Sequence, residues 1–407
     1  MAEEAKRWIL VTVGLLINIC LGSIYAFSIF RDPLENLFTI TATQSGLPFL
    51  VFLATFTVTM PPGGTLLHKW GPRKTTMLGG FVFGAGWILA SFAPTIETLA
   101  LLYGVIGGSG VGIAYGCTIA VAATWFPDQS GLAIGFTVGG VGLSALITAP
   151  VIKALISSVG VMDTFLYLGI AFMILIIVLS LPLRFPLDGW KPSGWMPTAK
   201  QVASTAELKR SEMLRTSTFY ALWILYTIGC LAGLIAIGIA APFGTQVAKL
   251  SAETAALAVS VFAIFNFAGR PFYGWLTDRI TPKYAAMVTF ILILAASCAL
   301  YRGGEENVLV YFVGFSLLWL TLGGWLAIAP TATKIFFGTK TYGENYGLVF
   351  TAYGAGAILG TLSSGVLKDM TGTYLSVFPI VIALALAGLV IAFIALHPIQ
   401  SKNSKVL

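Results

Sequence analysis

Stretches of about twenty apolar residues recur along the chain, separated by short polar segments. Each stretch is long enough to cross the hydrocarbon core of a bilayer as a helix. Only residues 185–218 form a long polar segment, and it lies midway along the chain. We therefore predict an N-terminal bundle over 1–184, a linker over 185–218 and a C-terminal bundle over 219–407. The twelve predicted helices lie near 8–30, 46–67, 75–93, 99–125, 130–155, 162–184, 219–243, 253–277, 284–302, 308–336, 345–368 and 373–397.

Composition agrees with a polytopic membrane protein. The 407 residues are 57% hydrophobic and only 10% charged, whereas soluble domains carry about 25% charged residues. Because lipid cannot satisfy backbone polar groups, spans of this length are expected to be helical, which predicts an all-α fold. The first apolar segment, residues 8–30, is too long for a signal-peptide core and has no small-residue cleavage site.

The distribution of basic residues predicts the orientation. Of the 23 lysines and arginines, 17 fall in segments on the side of the N-terminus, 5 on the opposite side, and Arg270 lies inside a span. Cytoplasmic loops carry such an excess, so both termini are expected in the cytoplasm, with the protein in the plasma (inner) membrane. The same bias explains the net charge of +7, and no nucleic-acid partner is needed.

The two halves of the chain resemble each other. Residues 64–73 align with 274–283 at a shift of 210, and residues 136–142 align with 350–356 at a shift of 214. Two matches at nearly one period indicate an internal duplication. Transporters built from such repeats place their substrate near the membrane midplane, where the halves meet.

Arg270 is the strongest candidate for a binding residue. It stands in an apolar run, and the first acidic residue toward the C-terminus, Asp278, is two turns away. A guanidinium stays protonated, and a cation at the bilayer centre costs at least about 2.5–3.5 kcal/mol. Asn266 lies four residues earlier on the same helix face, so the two side chains can grip a carboxylate together. The alternative is that Arg270 snorkels or bonds a helix carbonyl.

A loop motif repeated after the second and eighth helices resembles the hallmark of the major facilitator superfamily. Its pattern is Gly-x-x-x-Asp-Arg-x-Gly-x-Arg/Lys. The second copy keeps Asp278 and Arg279 but has Thr281 where glycine is usual, and the first copy has His68 in the aspartate position. The resemblance implies twelve helices in two pseudo-symmetric six-helix bundles and alternating access. It also implies a gating role for these loops, which we assign to the residues Asp278, Arg279, Lys69 and Arg73.

Four segments resemble the oxalate/formate antiporter family, which is close to the monocarboxylate transporters. They are Leu21–Ser28, Trp125–Ala133, Asn266–Pro271 and Asn345–Gly347. The resemblance extends over nearly the whole chain. It implies that Arg270 binds the substrate.

Tyr353 marks a difference from the oxalate carriers. There, a lysine follows the Asn-Tyr-Gly motif and supplies a second cation, whereas the matching position here, eight residues after Asn345, is Tyr353. One fixed positive charge matches one carboxylate, and a dianion would keep a charge that is costly in low dielectric. The site should therefore prefer a monocarboxylate. This argument needs only the absence of lysine, even if Tyr353 is a core residue.

Four aromatic residues lie well inside predicted helices and are candidates for an apolar pocket. Tyr25 and Tyr115 are assigned to substrate binding, whereas Trp319 and Trp325 are weaker candidates. Aromatic side chains commonly line small-molecule sites. The alternative for each is helix packing.

The means of coupling stays open. In related animal carriers an aspartate one turn before the arginine is thought to carry the proton, but that position here is Asn266, which cannot titrate. The proton can travel with the substrate or with an acid near a helix end, or one anion can exchange for another without a proton. The two histidines, His68 and His397, have no partner at catalytic or metal-ligand spacing, so we expect no enzyme activity, cofactor or metal.

The leading hypothesis is a secondary active transporter of small monocarboxylates such as lactate or pyruvate, coupled to a proton. Its alternating access would take place around Arg270. The alternative is an oxalate/formate-type anion exchanger. Under the leading hypothesis, the expected partners of the protein are a small carboxylate, a proton and the lipid bilayer.

Overall fold

The structure is a computed structural model that describes residues 2–40, 42–187, 189–192, 194–196 and 207–398. Residues 188, 193 and 197–206 of the predicted linker lie outside the described residues. The described chain is helical, with no β-strand in these ranges. Its α-helices are α1 (Ala2–Leu21), α2 (Ser28–Phe38), α3 (Ala42–Ser45), α4 (Leu47–Ala90), α5 (Ile96–Leu99), α6 (Gly108–Trp125), α7 (Ser130–Val159), α8 (Val161–Ser180), α9 (Arg210–Met213), α10 (Ser217–Gln246), α11 (Ala252–Gly303), α12 (Val308–Phe337), α13 (Tyr342–Thr371) and α14 (Val377–Ala395).

Within the described residues, ten helical segments are long and apolar enough to cross a membrane. Two of them, α4 with 44 residues and α11 with 52, are far longer than one span requires. At a rise of about 1.5 Å per residue each exceeds 60 Å, about twice the hydrocarbon thickness. Each therefore supplies two spans, which brings the number to the twelve that the sequence predicts. The predicted all-α fold is confirmed.

A single residue with positive φ divides each long helix. Gly71 has φ 74° and ψ 173° in α4, and Thr281 has φ 79° and ψ 156° in α11. Glycine adopts this conformation at little steric cost, whereas a side chain there is strained. Pro72 and Pro282 follow directly, and their fixed φ suits the first turn of the next helix. The loops of the repeated motif are thus sharp kinks.

The first compact unit comprises Met1–Pro127, Phe136–Trp195 and Thr341–Leu348. In it α4 packs against α6 and α8. The centre holds an aromatic cluster in which the Trp87 ring lies 5.0 Å from Tyr103 and 5.4 Å from Phe165. Helix α1 ends in a 3-10 turn, Gly22–Ala26, before α2 begins.

The second compact unit comprises Asp128–Gly135, Met196–Lys340 and Val349–Leu407. Here α11 packs against α12 and α14, and α10 packs against α12. The described end of the linker is bound to this unit, because the Glu207 carboxylate accepts hydrogen bonds from the backbone N–H groups of Thr339 and Lys340. The first turns of α7 belong to this unit, and those of α13 belong to the first.

Candidate functional site

Arg270 and Asn266 lie together on α11, as their spacing predicts. Arg270 is 2% exposed and Asn266 is 6% exposed. The Arg270 Nη2 donates to Asn266 Oδ1 at 3.1 Å, and Asn266 Nδ2 donates to the carbonyl oxygen of Trp319 at 3.1 Å. A single amide therefore links the guanidinium to the backbone of α12.

Two glycines bring α11 and α12 into backbone contact at this level. Gly269 faces the carbonyl of Leu320, and Gly323 faces the carbonyl of Asn266, each so closely that a Cβ would collide with the carbonyl oxygen. Small residues allow such close approach between helices in a membrane. The Arg270 and Asn266 side chains consequently stand on a tightly packed helix pair.

The start of α7 also packs against the backbone of α11. A side chain at Gly135 would collide with the carbonyl oxygen of Arg270, and one at Gly131 would collide with that of Gly274. The backbone of α11 at Arg270 is therefore in direct contact with α7.

Tyr353 belongs to the same unit and is 2% exposed. Its ring stacks on Phe350 with a centroid distance of 5.2 Å and an interplanar angle of 19°. The neighbouring Thr351 Oγ1 accepts a 2.9 Å hydrogen bond from the indole of Trp223 on α10. The α13 segment that carries Tyr353 is thereby fastened to α10.

Tyr115 and Tyr25 belong to the first unit. Tyr115 is 2% exposed and meets Phe56 edge-on at 5.5 Å. Tyr25 is half-buried and lies in the 3-10 turn after α1. The Ser144 hydroxyl braces this turn by donating to the carbonyl oxygen of Ile19 at 2.6 Å. The break in the helix therefore sets the position of Tyr25.

Asp278, a predicted gating residue, binds the first turn of α7. Its carboxylate accepts from the N–H of Gly131 at 2.8 Å and from the N–H of Leu132 at 3.0 Å. A negative charge is favourable at a helix N-terminus, where backbone N–H groups have no partner within the helix. Lys334 of α12 interacts electrostatically with Asp278 and with Asp128. Two acids and one lysine therefore gather at this end of the unit.

The other predicted gating residues are exposed, as Asp278 itself is. The Arg279 guanidinium lies over the ring of Trp275, 5.5 Å from its centroid, and Lys69 and Arg73 flank the kink at Gly71. His68, which occupies the aspartate position of the first motif copy, is also exposed. Their gating role stays a prediction.

Sequence reasoning missed the partners of these residues. The glycine pairs Gly131/Gly135 and Gly343/Gly347, each spaced four apart at the start of a helix, were the available signal for close packing. Lys334 gave no local signal, because its acidic partners lie 56 and 206 positions away.

Comparison with known proteins supports the resemblance to the major facilitator superfamily. The sequence model of the Major Facilitator Superfamily matches residues 11–361 and 222–406. The oxalate:formate antiporter of Oxalobacter formigenes is 30% identical over 358 residues, covering 87% of this chain and 83% of that protein. Monocarboxylate transporter 13 of Bos taurus is 29% identical over 338 residues, covering 81% and 74%.

The fold agrees with a solved structure of the same superfamily. The crystal structure of the E. coli transporter FucP superimposes with a TM-score of 0.73 at 15% identity, covering 94% of this chain and 97% of that one. The family resemblance inferred from the loop motifs is confirmed. This chain is a multi-pass membrane protein that belongs to the Major Facilitator Superfamily.

Proposed function

We propose that the protein is a secondary active transporter of small monocarboxylates such as lactate or pyruvate, working by alternating access. The observation that carries this proposal is the buried Arg270 guanidinium, held by Asn266 on the tightly packed α11 and α12. An arginine fork matches the two oxygens of a carboxylate, and a buried cation favours an anionic ligand. The similarity to monocarboxylate transporter 13 supports the substrate class.

The surrounding charges favour a monoanion. Tyr353 occupies the helix position at which a lysine would add a second cation. Lys368 lies 15 residues further along α13, about 22 Å at the helical rise, and its Nζ donates to the carbonyl of Gly372. Lys334 interacts with the acid Asp278. A dianion would therefore bring a second charge with no matching cation among these lysines.

Oxalate/formate exchange is the second candidate, and the identity with the Oxalobacter formigenes antiporter favours it. Formate carries one negative charge and matches a site with one fixed cation, whereas oxalate carries two. The two candidate functions thus differ in whether the protein transports a dicarboxylate.

Coupling to a proton is part of the leading proposal. Asn266 cannot carry the proton, and its amide is already bonded to Arg270 and to the Trp319 carbonyl. Proton symport predicts uptake that follows a pH gradient. Anion exchange predicts uptake that follows a counter-anion gradient.

Uptake by proteoliposomes tests both candidates. Labelled lactate, formate and oxalate are offered with and without a pH gradient, and with and without internal anion. We expect lactate uptake that rises with an inward proton gradient. Arg270→Lys should abolish most of it because the planar fork is lost, whereas Arg302→Lys, at an exposed position of the same helix, should not. Normal lactate kinetics in Arg270→Ala would refute the assignment.

The orientation is proposed as well: both termini in the cytoplasm and the protein in the plasma (inner) membrane. The bias of 17 basic residues against 5 supports it. A cysteine placed at Trp195 in the linker should react with an impermeant thiol reagent only in inside-out vesicles. Labelling in intact cells would reverse the topology.

A further inference from the structure

One face of α11 carries Phe262, Asn266 and Arg270 at intervals of four residues. The Trp319 ring of α12 lies against the first of these, with its centroid 6.0 Å from that of Phe262. The Trp319 carbonyl accepts the amide of Asn266. The indole therefore stands beside the strip of α11 that carries the guanidinium.

The indole N–H of Trp319 is a hydrogen-bond donor that has no acceptor among the described residues. Trp319 is 6% exposed, and in the described part of the chain its buried Nε1 meets no hydrogen-bond acceptor. An indole nitrogen can only donate. A buried donor without an acceptor costs about 1–3 kcal/mol, so this position favours a ligand that brings an acceptor.

Trp325, six residues later on α12, differs in its surroundings. Its Nε1 also meets no acceptor in the described residues, but the indole lies between the rings of Tyr226 and Phe290, at 6.1 and 5.4 Å. Its nitrogen faces Gly229 of α10, where a Cβ would collide with it. This indole is enclosed by protein and serves packing.

The chemistry of the ligand follows from the donors. The Asn266 amide oxygen accepts a hydrogen bond from Arg270, and its nitrogen donates one to the Trp319 carbonyl. Asn266 is therefore a positioning residue for the guanidinium. The arginine fork can take both oxygens of a carboxylate. The indole of Trp319 then remains for a third oxygen on the same small acid.

We propose that Trp319 is a specificity-determining residue that donates its indole N–H to the oxygen on carbon 2 of a 2-hydroxy or 2-oxo monocarboxylate. The inference rests on the proposed monocarboxylate function and narrows its substrate class. Sites built to bond a substrate oxygen reject the analogue that lacks it, because a buried polar group of the site is then left without a partner. The protein is therefore expected to prefer lactate and pyruvate over propionate.

The experiment compares lactate with propionate in proteoliposomes that contain the full chain. The KM for labelled lactate and the inhibition constant of propionate are measured for wild type, Trp319→Phe and the matched control Trp325→Phe. Phenylalanine keeps an aromatic ring and removes the N–H. In Trp319→Phe the lactate KM should rise about tenfold, while the inhibition constant of propionate stays unchanged. Trp325→Phe should leave the ratio of the two constants as in wild type.

The outcomes separate this inference from the proposed function. If wild type binds neither acid, the proposed function fails and the inference fails with it. If wild type binds both with equal affinity, or if Trp319→Phe weakens both acids alike, the inference alone is rejected and the monocarboxylate function stands. A ratio that moves equally in Trp325→Phe would also reject it, because the effect would then be one of packing.

Discussion

Gly135, in the second turn of α7, packs against the backbone carbonyl of Arg270 on α11. The residue that we assign to substrate binding is thereby in contact, through its backbone, with a helix that begins 140 residues earlier in the chain. One turn away, Gly131 meets Gly274 in the same manner. The start of α7 and the α11 segment that carries the guanidinium are therefore in direct backbone contact.

The first unit contains the corresponding contact. There Gly347 of α13 packs against the backbone of Met60 on α4, and Gly343 packs against Gly64. Met60 aligns with Arg270 at the repeat shift of 210. The two copies of the repeat therefore share the helix crossing, and the second copy has placed a cation at the crossing point.

Substituting Gly135 tests the importance of this crossing. A methyl group at Gly135→Ala has no space beside the Arg270 carbonyl, so the helices must separate at a cost of about 1–3 kcal/mol. We expect lactate uptake to fall severalfold while the protein still inserts and purifies. Gly238→Ala on α10 is the control, because a Cβ there meets open space. Equal uptake by the two variants would contradict a functional role for the crossing.

The strained residue Thr281 gives a prediction about stability. Its φ of 79° and ψ of 156° lie in a region that is nearly exclusive to glycine and costs about 1–3 kcal/mol. Thr281→Gly should raise the thermal midpoint in detergent, since relief of strain exceeds the roughly 0.5–1 kcal/mol entropy cost of glycine. The reciprocal change Gly71→Thr should lower it, because Gly71 has the same backbone form. A lower midpoint for Thr281→Gly would show that the kink is relaxed in solution.

The paired hydrogen bonds of Asp278 predict that its charge matters for transport. Asp278→Asn removes the negative charge at the start of α7 and can accept only one of the two N–H bonds, where hydrogen bonds to charged groups contribute about 1.5–3 kcal/mol. We expect slower exchange of lactate and a changed rate of conformational cycling, measured by counterflow. Asp163→Asn is the control, because Asp163 is an exposed acid in the first turn of α8. A wild-type rate in Asp278→Asn would remove it from the gating set.

The sequence predicts the spans better than their connections. Apolar runs of the length of a bilayer leave little choice of secondary structure, so all twelve spans are found. At Gly71 and at Thr281 two successive helices are joined through one non-helical residue of positive φ, without a longer loop. Hydropathy contains no information on that geometry.

In the candidate site, too, the sequence predicts some features and leaves others undetermined. Arg270 and Asn266 are recognisable because a buried cation and a spacing of four residues are local signals. The binding partner of Asp278 is not, since Gly131 lies 147 positions earlier in the chain. Trp319 was only one of several aromatic candidates, because the missing acceptor of its N–H depends on tertiary packing.

Substitution of Tyr353 tests whether the site favours a substrate with one negative charge or with two. It is buried on α13 and stacks on Phe350, and lysine is the residue that the oxalate carriers are expected to have at this position. Tyr353→Lys would add a second cation. An opposite charge that is partly desolvated changes affinity by about 1–3 kcal/mol, or roughly 5- to 150-fold. The competition ratio of oxalate to lactate should therefore move toward oxalate, even if total transport falls.

Tyr353→Phe is the control for the valence test, because it removes the hydroxyl without adding charge. Its competition ratio should stay near that of wild type. If wild type already prefers oxalate over lactate, the site must contain a second cation besides Arg270. Lys368 is bound to the carbonyl of Gly372 and Lys153 is exposed, so a second cation would then have to come from a different arrangement of the helices. Oxalate competition measured in Lys153→Gln and Lys368→Gln would identify it, because only the variant that loses the second cation should lose the oxalate preference.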